Sequence, residues 1–193
     1  MEPFIREYGA LAIFVVLAFE SIGLPLPGES LLIFGSALAA RGEISFSGLL
    51  ISAWVGGVVG DNIGYAIGRK FGRKVILQYG EKIGLNDNRL MRVEAVVRRY
   101  GPFTVMFARF FNGLRQLNGV VAGTAEMSWW KFLLCKAIGC ALWVATWGFG
   151  GRYVAEHVPK FDSLSRTLGF IAAAMVVVAL IVLLFKHAQR RRR

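Results

Sequence analysis

The sequence predicts an all-α integral membrane protein: two re-entrant helical hairpins of inverted sense, three transmembrane helices and short amphipathic surface helices. Three observations predict it. The 193-residue chain is 55% hydrophobic with mean hydropathy +0.53, too apolar for an ordinary soluble domain and of a length for one membrane domain over 1–193. Two of its apolar stretches carry prolines or charges where a plain span would have neither. The excess of 23 Lys and Arg over 12 Asp and Glu is gathered at Arg69–Arg99 and at Lys186–Arg193, beside apolar runs. That pattern fits a cytoplasmic flank drawn to anionic lipid head groups. A basic chain can also bind nucleic acid, but no nucleic-acid module is visible, so none is expected as a partner.

After eight polar residues, the stretch 9–40 (GALAIFVVLAFESIGLPLPGESLLIFGSALAA) is apolar yet broken by Pro25, Pro27 and Gly28, with Glu20 and Glu29 on either side. A carboxylate in hydrocarbon is costly and marks a pathway or a binding site. Each half is too short for a core that needs about 20 helical residues, which predicts the first re-entrant hairpin. A secretory signal cut near Ala37–Ala39 is rejected, because the glutamates and prolines spoil its apolar region. Residues 41–47 form a short loop, with Ser47 as the expected cap of the next helix.

Residues 48–68 (GLLISAWVGGVVGDNIGYAIG) are long enough to span. Gly56, Gly60, Gly64 and Gly68 recur every four residues and give a smooth face for close packing, within one subunit or between two; Asp61 lies beside it. The basic segment 69–101 reads as amphipathic helices on the cytoplasmic surface. Residues 102–125 carry Arg109, Asn112, Arg115, Gln116 and Asn118 in an apolar background, which predicts a second re-entrant hairpin turning at Asn112–Asn118. Residues 128–150 span again behind an interfacial Trp129–Trp130 pair, 151–166 form a polar loop, 167–185 are a plain span and 186–193 a basic tail. With both basic segments cytoplasmic, the halves take opposite senses. The pairings Leu49–Leu50 with Leu133–Leu134, Ala53 with Ala137 and Gly64 with Gly148 agree with such a repeat.

The charged residues are the candidate site. Arg109 and Arg115 suit a phosphate, which a guanidinium grips with a two-pronged fork. Glu20, Glu29 and Asp61 are the candidate proton-coupling or gating groups, and Asn112, Gln116 and Asn118 the supporting polar residues. Alternatives stand beside each role: structural ion pairs for the arginines and Asp61, and a helix N-terminal cap for Glu29. Cys135 and Cys140 lie five apart on one helix, point in different directions and read as buried small residues. His157 and His187 are assigned no role. No metal, cofactor or catalytic residue is expected.

The pieces FESIGLPLPGESLLIFGSALA, GGVVGDNIGYAIGRKFGRK and FARFFNGLRQLNGVVAGTAEMSWWKF run in order from Phe19 and resemble the DedA family, which shares its domain with the eukaryotic VTT-domain scramblases. The resemblance implies two re-entrant hairpins and lipid movement between leaflets of a bacterial inner membrane, with a cytoplasmic C-terminus. In bacterial members it implies recycling of undecaprenyl phosphate for peptidoglycan, or movement of phosphatidylethanolamine, linked to the proton motive force. The family's acidic pair falls on Glu20 and Glu29, its Gly-Asp on Gly60 and Asp61, and its paired arginines on Arg109 and Arg115. Many members carry Pro-Gly between the arginines, where this chain has Asn112-Gly113. With nineteen residues before Glu20, no extra N-terminal span is expected. The expectation is therefore a flippase for a polyprenyl phosphate, not an enzyme. A phospholipid scramblase and a proton-coupled solute transporter are the alternatives, and homo-oligomerisation is left open.

Overall fold

The computed structural model describes residues 2–24, 26–80, 87–110 and 114–158. Among these residues every regular element is helical: α1 (Glu2–Ile22), α2 (Gly28–Ala40), α3 (Phe46–Gly80), α4 (Asp87–Tyr100), α5 (Pro102–Phe107), a 3₁₀ turn at Ala108–Phe110, α6 (Leu114–Thr124) and α7 (Trp129–His157). The expected span 167–185, the tail 186–193, the later part of the 151–166 loop and Asn112 lie outside the described residues.

Local chemistry sets the helix ends. α1 stops at Gly23, whose φ of 121° lies in the region glycine favours. There the Gly23 N–H donates to Glu20 O at 3.1 Å and the Leu24 N–H to Phe19 O at 3.2 Å. This paired closure satisfies carbonyls that the helix end would otherwise strand. The same closure ends α2 at Gly42 and α6 at Glu126, where φ is 56° on a non-glycine residue. At the start of α3 the cap is Ser45, not the expected Ser47. Gly48 N–H donates to Ser45 Oγ at 3.2 Å, and Ser47 Oγ instead meets that hydroxyl at 3.1 Å. The reason is geometric: a cap must sit three residues ahead of the N–H it satisfies.

Two helices are long and apolar enough to cross a membrane, Phe46–Gly72 and Trp129–His157, with mean hydropathies of 1.3 and 1.6. Their 27 and 29 residues correspond to about 40 Å of helix, against a hydrocarbon core of about 30 Å. Both exceed their expected bounds. α3 runs on to Gly80 through a break at Gly72, where φ is 66° and ψ −172°. α7 continues to His157, through residues expected to be loop, and there Arg152 and Glu156 form an ion pair at 2.8 Å one helical turn apart.

The glycine face of α3 is used inside the chain. A Cβ at Gly56 or Gly60 would collide with the backbone of Phe14 or Ala18 on α1, and one at Gly68 with Val120 on α6. Gly119 and Gly123 of α6 return the close approach against Asp61 and Tyr65. Small residues at such crossings let backbones touch. α2 packs on α7, where Gly151 lies against Ile33 and Ser36; α5 also packs on α7, with Gly139 against Met106. Each broken helix pair thus lays one arm on each long helix.

The distribution of polarity is the reverse of a soluble protein's. Ile51, Phe103, Leu134 and Phe149 are exposed, while Glu20, Asp61, Arg109, Arg115, Asn118 and Lys136 are buried beside a core of Ile13, Leu17, Leu32, Leu49, Ala53 and Trp143. Burying charge while exposing large apolar side chains suits lipid as the surrounding solvent.

Candidate functional site

The site lies where the two helix breaks meet. Glu20 ends α1 and Glu29 opens α2, so the break between them presents two carboxylates. Arg115, in the first turn of α6, takes both. Its Nη2 lies 2.6 Å from Glu20 Oε1, and its Nη1 lies 2.6 Å from Glu29 Oε1. One guanidinium thus ties both flanks of the first break to the second break. Glu20 Oε1 also accepts a long hydrogen bond, 3.4 Å, from Gly28 N–H at the start of α2. Glu20 thus joins Glu29, itself in the first turn, at the α2 N-terminus, where backbone N–H groups and the helix dipole favour an anion. A Cβ at Gly28 would overlap the Glu20 carboxylate and Leu17, so this position holds the approach open.

A second cluster lies deeper. Arg109, on the 3₁₀ turn after α5, places Nη1 2.8 Å from Asp61 Oδ2, and Lys136 Nζ lies 3.0 Å from the same oxygen. All three residues are almost wholly buried. This cluster has one more cation than anions when all groups are ionised, and the Glu20–Glu29–Arg115 cluster one more anion, so together they balance. Trp143 of α7 bridges them, with the Arg109 guanidinium 4.9 Å and the Arg115 guanidinium 5.4 Å from its ring centroid, both within cation–π range. Asn118 Nδ2 donates to Val105 O at 2.7 Å and fastens α6 to α5.

The expected residues are therefore brought together, with corrections. The turn of the second break does not reach Asn118, because α6 is already helical from Leu114; α5 gives way to the 3₁₀ turn at Ala108–Phe110. Arg109 and Arg115 do not share one anion. Each has its own carboxylates, and they meet through Trp143. Asn118 serves the backbone; Asn112 and the side chain of Gln116 lie outside the described residues. Lys136 and Trp143 were not anticipated, although a lysine inside FLLCKAIGCALW is itself an intramembrane charge. Of the two cysteines, Cys140 is buried and Cys135 only half-buried, and both are free thiols.

Access differs between the clusters. The Glu29 side chain is 33% exposed, against 3% for Glu20 and none for Asp61. Asp61 Oδ1 and the Nε atoms of Arg109 and Arg115 have no hydrogen-bond partner among the described residues, so the core keeps binding capacity beyond its own ion pairs.

A family model described as the VTT domain matches residues 26–153, a stretch that holds Glu29, Asp61, Arg109, Arg115 and Lys136. The chain belongs to the DedA family of VTT-domain membrane proteins. It is 34% identical to an uncharacterized membrane protein of Synechocystis over 99% of this chain and 89% of the relative. It is 28% identical to Protein DedA of Escherichia coli K12 over 97% of this chain and 89% of that one. It is also 28% identical to a Lactococcus lactis relative named alkaline phosphatase-like protein, over 96% of this chain and 89% of the relative. No solved structure matches. Glu20 precedes the matched VTT-domain stretch, yet its carboxylate lies within that stretch's ion-pair core.

Proposed function

We propose that this DedA-family protein is a flippase that carries the phosphate head group of a polyprenyl phosphate, undecaprenyl phosphate, between leaflets while the tail stays in lipid. The observation that carries the reading is the Arg115 clamp. A guanidinium buried at membrane depth and held by two carboxylates, one of them reachable, is a phosphate site kept occupied by exchangeable anions. A phosphate monoester entering past Glu29 offers the same fork geometry with more negative charge and displaces the carboxylates from Arg115. Arg109 lies beyond Trp143 as the second grip. Glu20 and Glu29, displaced from Arg115 into a site of low dielectric, take up protons, and they give those protons up on returning to Arg115 and releasing the phosphate; Asp61 is the corresponding proton-coupling group at Arg109.

The crossed packing of α1, α2, α5 and α6 on the two long helices supports two re-entrant hairpins of inverted sense around a midplane site. The basic segments support an inner-membrane location with the C-terminus in the cytoplasm. A zwitterionic substrate is the second reading, favoured by Glu29 and Arg115 side by side: phosphatidylethanolamine offers an ammonium to one and a phosphate to the other.

The test is transbilayer movement in proteoliposomes. Labelled polyprenyl phosphate and phosphatidylethanolamine are compared, with an Arg109→Ala/Arg115→Ala control and an assay for released phosphate. Movement of the polyprenyl phosphate, lost in the control, is expected. Movement of phosphatidylethanolamine alone reassigns the protein as a phospholipid scramblase, and phosphate release reassigns it as a phosphatase.

A further inference from the structure

A groove of about 790 Å³ runs along the outer surface of α3 where α7 begins. It does not touch the buried ion pairs. Its floor is two adjacent stripes of α3, from Val58 and Val59 at one end to Arg69 and Lys70 at the other. At 1.5 Å per residue these stripes run for about 18 Å, close to the depth of one leaflet, half of a hydrocarbon core of about 30 Å. The wall is apolar over most of that length, with Val59 and Ile63 exposed beside Ala66 and with Leu133 across from them.

The chemistry changes at one end only. Arg69 and Lys70 are exposed, and neither pairs with a carboxylate among the described residues. Arg69 reaches Tyr65 Oη at 3.5 Å, and Lys70 Nζ lies 5.9 Å from its neighbour Phe71's ring. Trp129 stands across the groove, with its indole N–H donating to Asn62 Oδ1 at 2.9 Å. An apolar channel one leaflet long, ending in two cations that pair with no carboxylate among the described residues, is complementary to a lipid acyl chain bearing a phosphate.

We propose that this groove is a binding site for one anionic diacyl phospholipid, with an acyl chain along Val59, Ile63 and Ala66 and its phosphate on Arg69 and Lys70. The C-terminal residues 186–193 (KHAQRRRR) bear the same sign as the groove's rim and would be repelled from it. The site lies outside the ion-pair core, so it stands whether or not the core carries a lipid head group.

The full chain in nanodiscs of phosphatidylcholine, doped with phosphatidylglycerol carrying a diazirine in one acyl chain, is photolysed and its adducts mapped by mass spectrometry. The same experiment is run with diazirine-phosphatidylcholine. Phosphatidylglycerol adducts are expected on residues 58–70 and 129–133, in excess over phosphatidylcholine. Each cation near an anionic lipid surface contributes about a fivefold preference, so Arg69→Gln/Lys70→Gln should reduce that excess by about 30-fold. These side chains are exposed, and an unchanged unfolding temperature in detergent verifies the fold. Ala66→Phe, which fills the channel and leaves the cations, should lower adducts from both lipids. Equal labelling by the two lipids, adducts only elsewhere on the chain, or an excess untouched by the double substitution overturns the proposal.

Discussion

Arg115 concentrates the chemistry of the core, and lysine is the informative replacement. Its ammonium keeps the charge but loses the fork that holds Glu20 and Glu29 on separate nitrogens. Arg115→Lys is expected to reduce lipid movement at least tenfold while the protein still purifies as a folded species. Asp61 makes a sharper prediction about stability, because it alone separates two buried cations, Arg109 and Lys136. Asp61→Asn leaves them uncompensated and should destabilise the fold by about 3–5 kcal/mol in denaturation from detergent. Lys136→Met on top of it removes one of those charges and should restore a large part of the loss; no recovery in the double variant would show that the Lys136–Asp61 contact is energetically idle. The charged residues were legible because each interrupts an apolar run. Their partners were not: Arg115 and Glu20 are 95 positions apart, and no spacing rule connects them. Lys136 escaped notice because a lysine a few residues from Trp129 and Lys131 reads as one that snorkels to the interface, whereas here it turns inward to Asp61.

Among the elements, α3 organises the rest, since its glycine face receives α1 on one part of its length and α6 on another. The glycine repeat was visible in the sequence, and so was its purpose as a close-packing face. That it packs within one subunit was not, because a smooth face has no address until its partners are placed. Gly60→Val should destabilise the protein by about 1–3 kcal/mol, since its Cβ would enter the Ala18 backbone. Gly64→Ala is the matched comparison: its Cβ would find its nearest neighbours at 3.6 Å, ordinary contact, and the variant should unfold within a degree or two of the parent. Gly57→Ala probes the site through the same helix. Its Cβ would lie 2.5 Å from Arg109 Nη2 and 2.7 Å from Cys140 Sγ, so it should displace Arg109 and lower lipid movement. Helix ends were the least legible feature. The expected turn at Asn112–Asn118 was drawn too long, because its polar residues suggest a loop, while Arg115 to Asn118 already sit in the α6 helix.

For the whole molecule, the arrangement of polarity explains why five charges can lie inside so small a chain. Exposed Phe103, Leu134 and Phe149 meet lipid, so the hydrophobic surface is outside, and the interior is left for groups that must be solvated by each other. The two breaks expose helix ends and carboxylates at that depth, and the two long helices hold them in register. The all-helical class and the broken first half followed from composition and prolines; the crossed packing of α1, α2, α5 and α6 on the two long helices needed the structure. Head-group binding at the Arg115 clamp is the step on which the proposed transport depends. The measurement that tests it most directly is the rate of polyprenyl-phosphate movement across proteoliposomes containing the parent protein, Arg115→Lys or Glu29→Gln, each verified as folded. At least a tenfold loss is expected for Arg115→Lys and a smaller but measurable change for Glu29→Gln, whose side chain is the exposed member of the clamp. Parent-like rates in both variants would contradict it.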